Sequence, residues 1–313
     1  MLRSLDRCAA ACAARCITGS GYRLLRDAAC AWVDGLLRQH AAWPEMVWVN
    51  GGELIGAATA NKLRQFGAPV VLYNNDDPTG KRDGRRFDSL LAALPAYDLC
   101  AVLREPNVGE FYAHGARSVH RVWMSYDEIL HRPFESIEDI PAAFRSEVAF
   151  IGTCFRGHGR DRFLLDLIDQ KLDVAIWGSD WQRSNYWPRL RSYWRGPGIF
   201  GRDYVAAIQG SKISLGFVSH GNRDLHTTRS VEIPYAGGLL CAERTSEHLA
   251  MYRDGEEAVF WKDSEECGSI CHQLLADNGL REHIRFRGQQ RVRENSFGNE
   301  SIVKEILNAT TTR

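Results

Sequence analysis

The chain has 313 residues, 44% hydrophobic and 25% charged, which is the balance of a globular protein long enough for two domains. Basic and acidic residues number 39 each, so the formal net charge is zero and a broad nucleic-acid footprint is not expected. No stretch approaches the roughly eighteen uninterrupted apolar residues of a membrane-spanning helix. Nine cysteines, an odd count, point to reduced thiols in a cytoplasmic protein. Arg3, Asp6, Arg7 and Arg15 interrupt any apolar signal-peptide core near the first residue.

Cys8, Cys12 and Cys16 recur every four residues and would line one helix face. Their spacing does not match the usual zinc pairs and alanines fill the gaps, so they read as small residues on a packed helix, with no metal expected. Cys267 and Cys271 read the same way. "GSGYRLL", from Gly19, imitates the start of a dinucleotide fingerprint. It lacks the third glycine and a good preceding strand, which sets a nicotinamide cofactor aside.

The next stretch puts Leu25, Ala29, Trp32 and Leu36 on one helical stripe. "MVWVN" reads as a strand, "GAATANKLRQF" as a helix and "PVVLY" as a strand. "DLCAVL" and "RSVHRVW" are two further strands, with a helix near "VGEFYAHG" between them. Arg132 to Glu147 then breaks the rhythm with two prolines and several charges, so the boundary is expected there, giving domains 1–140 and 141–313. Beyond it come "VAFIG", a helix from Arg160, "DVAIW", a helix near "RDYVAAIQG", "KISLGF", "LLCAE" and "AVFW", and helices from Ser264 close the second domain. Short apolar strands alternating with helices predict an α/β fold of two Rossmann-like domains with parallel sheets. The first domain opens on a helix and so lacks the usual first strand. Ligands of such folds bind beyond the carboxyl ends of the strands.

Two stretches could carry chemistry. "VAFIGTCFRGHGRDRF" runs strand, glycine-containing loop, helix, and offers backbone N–H groups, a helix N-terminus and Arg156, Arg160 and Arg162 to an anion. An ordinary β–α loop with solvated arginines would look the same. "TTRSVEIPYAGGLLCAE" runs from a polar loop through a short helix, which Thr227, Thr228 or Ser230 can cap, to the glycines that start a strand. Glu232 could accept paired ribose hydroxyls and Arg229 could reach a pyrophosphate, or the two could form a surface pair. Trp177, Trp181, Trp187 and Trp194 could stack on sugars or pack a core, and Trp177 is expected to pack.

The ordered motifs "FIGT", "IWGSDW", "GPGIFGRDYVAAIQGSKISLGF" and "RSVEIPYAGGLLCAE", with those that follow, resemble the nucleotide-binding half of GT-B glycosyltransferases, most closely the spore-maturation CgeB-like branch. "PEMVWVNGG", "APVVLYNNDDP" and "YDLCAVL" look like its acceptor half. The resemblance implies transfer of a sugar from a nucleotide-diphosphate sugar to an unidentified acceptor, with no cofactor beyond that co-substrate. Glu232 matches the ribose-binding glutamate. Asp224, eight residues earlier, stands where relatives carry a second acidic residue. Arg229 and Arg160 (or Arg162) match arginines for the donor phosphates. Gly198 and Ile199 lie in the turn that cradles the base, while Gly152, Thr153, His226 and Thr228 complete the donor lining, with His220 nearby.

No Asp-x-Asp motif occurs, so metal-independent stabilisation of the leaving diphosphate is expected. Asp76 and Asp77, after "PVVLY", are the expected catalytic carboxylates on the acceptor side, unless they only shape a turn. Asn50, Gly51, Gly52 and Glu53 form a second acceptor loop. A nucleotide-sugar epimerase or hydrolase on the same fold, or a non-catalytic nucleotide-sugar-binding or assembly protein, are the alternatives.

Overall fold

The computed structural model describes residues 20–39 and 44–311; Cys8, Cys12, Cys16 and Gly19 lie outside them. The chain divides into two units. The first comprises Met1–Trp123, Gly221–Arg223 and Val303–Arg313, the second Met124–His220 and Asp224–Ile302. The division at Trp123 falls ahead of the proline-rich Arg132–Glu147 stretch, and the last residues of the chain group with the first unit. Among the described residues no helix is long and apolar enough to cross a membrane.

The first unit is built on a parallel sheet, β1 (Val47–Asn50), β2 (Val70–Asn74), β3 (Leu99–Val102) and β4 (Val119–Arg121), in that spatial order. β2 and β3 are apolar on both faces because both faces are covered, so they read as continuous Val/Leu runs rather than as alternation. The covering helices are α1 (Arg26–Gln39), α2 (Ala57–Leu63), α3 (Asp88–Leu91) and α4 (Glu105–Ala113). The α1 stripe differs from expectation. Val33 is the residue it buries fully, whereas Trp32 is 62% exposed and lines a largely apolar hollow beside β1. The inward face centres one residue further along, on Val33 with Leu36 and Leu37 beside it.

The second unit carries a six-stranded parallel sheet in the order β10-β9-β8-β5-β6-β7. Its strands are β5 (Ser146–Ile151), β6 (Val174–Trp177), β7 (Trp194–Gly196), β8 (Ser211–Gly216), β9 (Leu240–Glu243) and β10 (Val259–Trp261). The order reverses between β5 and β8, which is where a doubly wound sheet opens a crevice at its carboxyl edge. The helices are α5 (Arg160–Asp169), α6 (Trp187–Leu190), α7 (Gly201–Gln209), α8 (Thr228–Tyr235), α9 (Ser246–Met251), α10 (Ser264–Ala276) and α11 (Asn278–Glu294), while α12 (Asn299–Thr311) belongs to the first unit from Val303 onward.

β7 and α6 have no apolar run to announce them. β7 is held as an edge by pairing with β6 and by the Trp194 indole N–H, which donates to the Gly178 carbonyl at 3.1 Å. Trp177 and Trp181 are buried, and Trp187 and Trp194 pack edge-on against the same core. Trp177 and Trp181 therefore serve packing, while Trp187 and Trp194 are partly buried.

Candidate functional site

The short helix α8 positions the residues singled out by the sequence. The Thr227 N–H donates to the Ser230 hydroxyl at 2.9 Å, closing the first turn. Pro234 lies inside the helix and cannot donate to the carbonyl of Ser230 four residues earlier. The buried Tyr252 hydroxyl supplies the missing bond to that carbonyl at 2.8 Å, which is why the helix continues to Tyr235. It ends in a Schellman pair, with Gly237 N–H on the Pro234 carbonyl and Gly238 N–H on that of Ile233. Gly237 has φ +82° and a Cβ on Gly238 would come within 2.6 Å of Ile208, so this turn requires both glycines.

Glu232 projects from α8 with a side chain only 12% exposed. Tyr204 on α7 donates its hydroxyl to Glu232 Oε2 at 2.6 Å, and His131 Nε2 lies 3.8 Å from Oε1. Neither Tyr204 nor His131 was singled out by sequence, because nothing in the local pattern says which residues α8 will meet. Arg229, one turn earlier, sits over the Tyr204 ring at 5.6 Å and donates to the Thr228 hydroxyl at 3.2 Å.

Arg160 stands at the reversal of strand order. It is 8% exposed and donates to the carbonyl of Thr153, after β5, at 3.1 Å and to that of Val218, after β8, at 3.4 Å. Its Nε–H has no hydrogen-bond partner. Burial, and then the nearby positive charge of Arg229, pull its pKa below the usual value. Neither guanidinium forms an ion pair among the described residues. Two neighbouring cations, one with an idle buried donor, suit an anion with several oxygens. Arg162, the sequence alternative to Arg160, instead pairs with Asp166 at 2.8 Å and is 59% exposed.

Several expected donor residues are occupied otherwise. The Gly152 N–H donates to the Trp177 carbonyl at 2.9 Å, and its own carbonyl accepts from the Trp181 indole at 3.0 Å. Thr153 contributes its carbonyl to Arg160. Asp161 sits in the first turn of α5, accepting from the Arg162 N–H at 2.9 Å and from Ser184 at 2.6 Å. That places a carboxylate where the helix N-terminus had been expected to face an anion. Gly198 and Ile199 lie in the loop between β7 and α7, both half-buried. Asp224 is buried, and its N–H donates to the Ser219 carbonyl at 3.2 Å.

His226 is 2% exposed and both its ring nitrogens are engaged. Nε2 accepts from the Met124 N–H at 3.0 Å and Nδ1 faces the Glu247 carboxylate. It therefore braces the loop that delivers α8. His220 pairs with Glu243 at 2.8 Å. His248 links the helix to β9, with Nδ1 on the Glu243 carbonyl at 2.6 Å and Nε2 on Ser230 Oγ at 2.7 Å. Burial holds its pKa down at about 4, so it is a neutral linker.

The two first-unit carboxylates separate sharply. Asp77 is 2% exposed and receives Arg223 at 2.7 Å on each oxygen and Asn107 at 2.8 Å. Burial alone would raise its pKa, but the hydrogen bonds from Arg223 and Asn107 outweigh that and lower it. Arg223 also reaches Glu110 at 2.8 Å, holding that carboxyl down at about 2. Ion-paired with Arg223 and with its pKa lowered, Asp77 is a poorer proton acceptor than the sequence reading expected.

Asp76 differs. Burial first, with Glu53 adding to it, raises its pKa against the opposing pull of Arg86 and Arg104. Arg104 fixes the loop by donating to the Asp76 carbonyl at 2.7 Å and that of Asn75 at 3.1 Å. In the adjoining loop Gly51 and Gly52 have φ +75° and +77°, and a Cβ on Gly52 would meet Leu72 and Leu90 at 2.8 Å. Glu53 accepts from Tyr22 at 2.6 Å and from Arg86, while the Asn74 amide ties Gly51 at 2.7 Å. Asn50, on the neighbouring strand end, is exposed.

Residues 157–308 match the family described as glycosyl transferase-like. The curated proteins contain no sequence match. Among solved structures the chain resembles sucrose-phosphate synthase of Thermosynechococcus elongatus at 14% identity and TM-score 0.65, over 91% of this chain and 78% of that one. It resembles Anabaena Alr3699/HepE, solved in complex with UDP, at 13% identity and TM-score 0.67, over 91% and 82%. A UDP-forming α,α-trehalose-phosphate synthase from Burkholderia vietnamiensis matches at 13% identity and TM-score 0.61, over 92% and 78%. Residues 157–308 are thus similar to the glycosyl transferase-like family, and the chain has the two-sheet α/β fold of the GT-B type.

Proposed function

We propose that the protein is a glycosyltransferase whose second unit binds a nucleotide-diphosphate sugar. The observation that carries this reading is the pair of guanidinia, Arg160 and Arg229, that make no ion-pair contact among the described residues and stand with Glu232 at the carboxyl edge of a doubly wound sheet. The arginines would bind the diphosphate and gain strength as charge develops on it in the transition state. Glu232, oriented by Tyr204, would accept the ribose hydroxyls. In the transfer, the acceptor hydroxyl oxygen bonds to the anomeric carbon, the bond from that carbon to the diphosphate oxygen breaks, and the nucleoside diphosphate leaves. The hydroxyl proton goes to a base, and Asp76, with its raised pKa, is the carboxylate suited to take it.

The leaving diphosphate is neutralised by the arginines without a divalent ion in this reading. Among the described residues no cluster of three carboxylates or histidines gathers near them to hold one. HepE, a structural neighbour, is solved with UDP-glucose, so a uridine diphosphate sugar is the first donor to try. The cytoplasm is the inferred location, and the CgeB-like branch the inferred kinship. The test is calorimetry of the chain with UDP, GDP, dTDP and CDP, followed by turnover with the matching sugar nucleotides. One diphosphate should bind, and Glu232→Ala should weaken it. Binding unchanged by Glu232→Ala and by Arg229→Ala would refute the reading.

A further inference from the structure

Three cysteines outside this site converge in the core of the second unit. Cys241 lies in β9, while Cys267 and Cys271 lie one turn apart on α10 and so share a helix face. Their three sulfurs lie within 4.8 Å of one another, and all three residues are 0% exposed and free of disulfides. An ion bound to three sulfurs in a plane at about 2.3 Å would separate them by roughly 4 Å. Shifts of less than about an ångström would therefore close the three thiols on one ion.

The surroundings select the kind of ion. The cysteines share their core with Val259, Trp261 and Leu274, and among the described residues no His, Asp or Glu joins the group as a fourth ligand. Zinc in structural sites takes four ligands and would be left short. A soft ion content with two or three sulfurs meets the donor set as it stands. We propose that Cys241, Cys267 and Cys271 form a three-sulfur site for a soft thiophilic cation of the Cu(I) class. Each ligating thiol exchanges its proton for the ion and releases that proton to solvent, with no change of oxidation state. Binding would tie α10 to β9, the strand that leaves the Gly237–Gly238 turn, and so stabilise the second unit.

The test titrates the full-length reduced chain with Cu(I) under anaerobic conditions, against a chromophoric Cu(I) chelator. A variant with Cys8, Cys12 and Cys16 changed to Ser controls for the remaining clustered thiols. One equivalent should resist the chelator in both. Cys271→Ser should bind it at least about a hundredfold more weakly, beyond the roughly 10–100-fold lost when a group supporting a ligand is removed. X-ray absorption at the copper edge of the unaltered chain carrying one equivalent should show sulfur ligands only, a result independent of how any variant folds. Equal retention by the unaltered chain and Cys271→Ser would overturn the proposal. So would nitrogen or oxygen ligation, loss of the tight equivalent in the Cys8/Cys12/Cys16 control, or a disulfide joining Cys241 to either partner in the reduced chain.

Discussion

Two arginine sites in this molecule behave oppositely in structure. In the first unit, Arg223 meets Asp77 and Glu110 with four contacts of 2.7–2.8 Å, and Thr79 at 3.2 Å completes the set. Its charge is fully answered, and the result is a locked loop. In the second unit, Arg160 and Arg229 have carbonyl, hydroxyl and ring neighbours but no carboxylate in ion-pair contact. Burial and the neighbouring Arg229 charge disfavour the Arg160 cation, a cost that a bound anion would offset in the proposed donor site. The ratio of charge to counter-charge, rather than the presence of arginine, separates a ligand site from a brace.

The largest expected break in this comparison is Arg160→Ala. It should lower kcat/KM with the productive sugar nucleotide by about 10²–10³, the effect of losing a donor to a developing anion. Asp76→Asn should lower kcat by about 10² or more, as removal of a general base does, while Asp77→Asn should leave the pH dependence of turnover where it was. Arg223→Ala strands the buried Asp77 charge. The urea midpoint should fall by the equivalent of about 2 kcal/mol, at the modest end because Arg223 is 34% exposed.

A graded effect follows acidification. His248 is held neutral with a pKa near 4, below its unfolded value of 6.5. Above pH 6.5 it is neutral in both states and has no influence. As pH falls from 6.5 toward 4 the unfolded chain takes up the proton first, so stability drops, by at most about 3 kcal/mol. His248→Gln should flatten that part of a stability-against-pH curve. A curve of unaltered slope would show that the imidazole is not the group responsible.

The strands were legible because a parallel sheet covered on both faces demands unbroken apolar runs, and "PVVLY", "DVAIW" and "KISLGF" are such runs. β7 was not, since an edge strand of three residues depends on its neighbour more than on its own composition. Arg229 and Glu232 could be named from their place before the Gly237–Gly238 turn. The fate of Asp77 could not, because its partner Arg223 lies 146 residues away in the chain and only folding brings them together. Asp76 and Asp77 are adjacent and identical in type, yet one is half-buried with a raised pKa and the other is ion-paired with a lowered one. The partners of His226 were illegible for a related reason: the Met124 amide and Glu247 that engage its ring come from distant segments.

The bond from Tyr252 to the Ser230 carbonyl has a practical corollary for anyone redesigning this protein. Exchanging tyrosine for phenylalanine usually ranks among the mildest edits, and Tyr252 touches neither arginine nor Glu232 in any recorded bond. Here that single oxygen stands in for an amide that proline cannot offer. Deleting it would loosen the helix that carries Arg229 and Glu232, and a mutational screen would score the loss as a defect of the proposed donor site arising from a residue outside it.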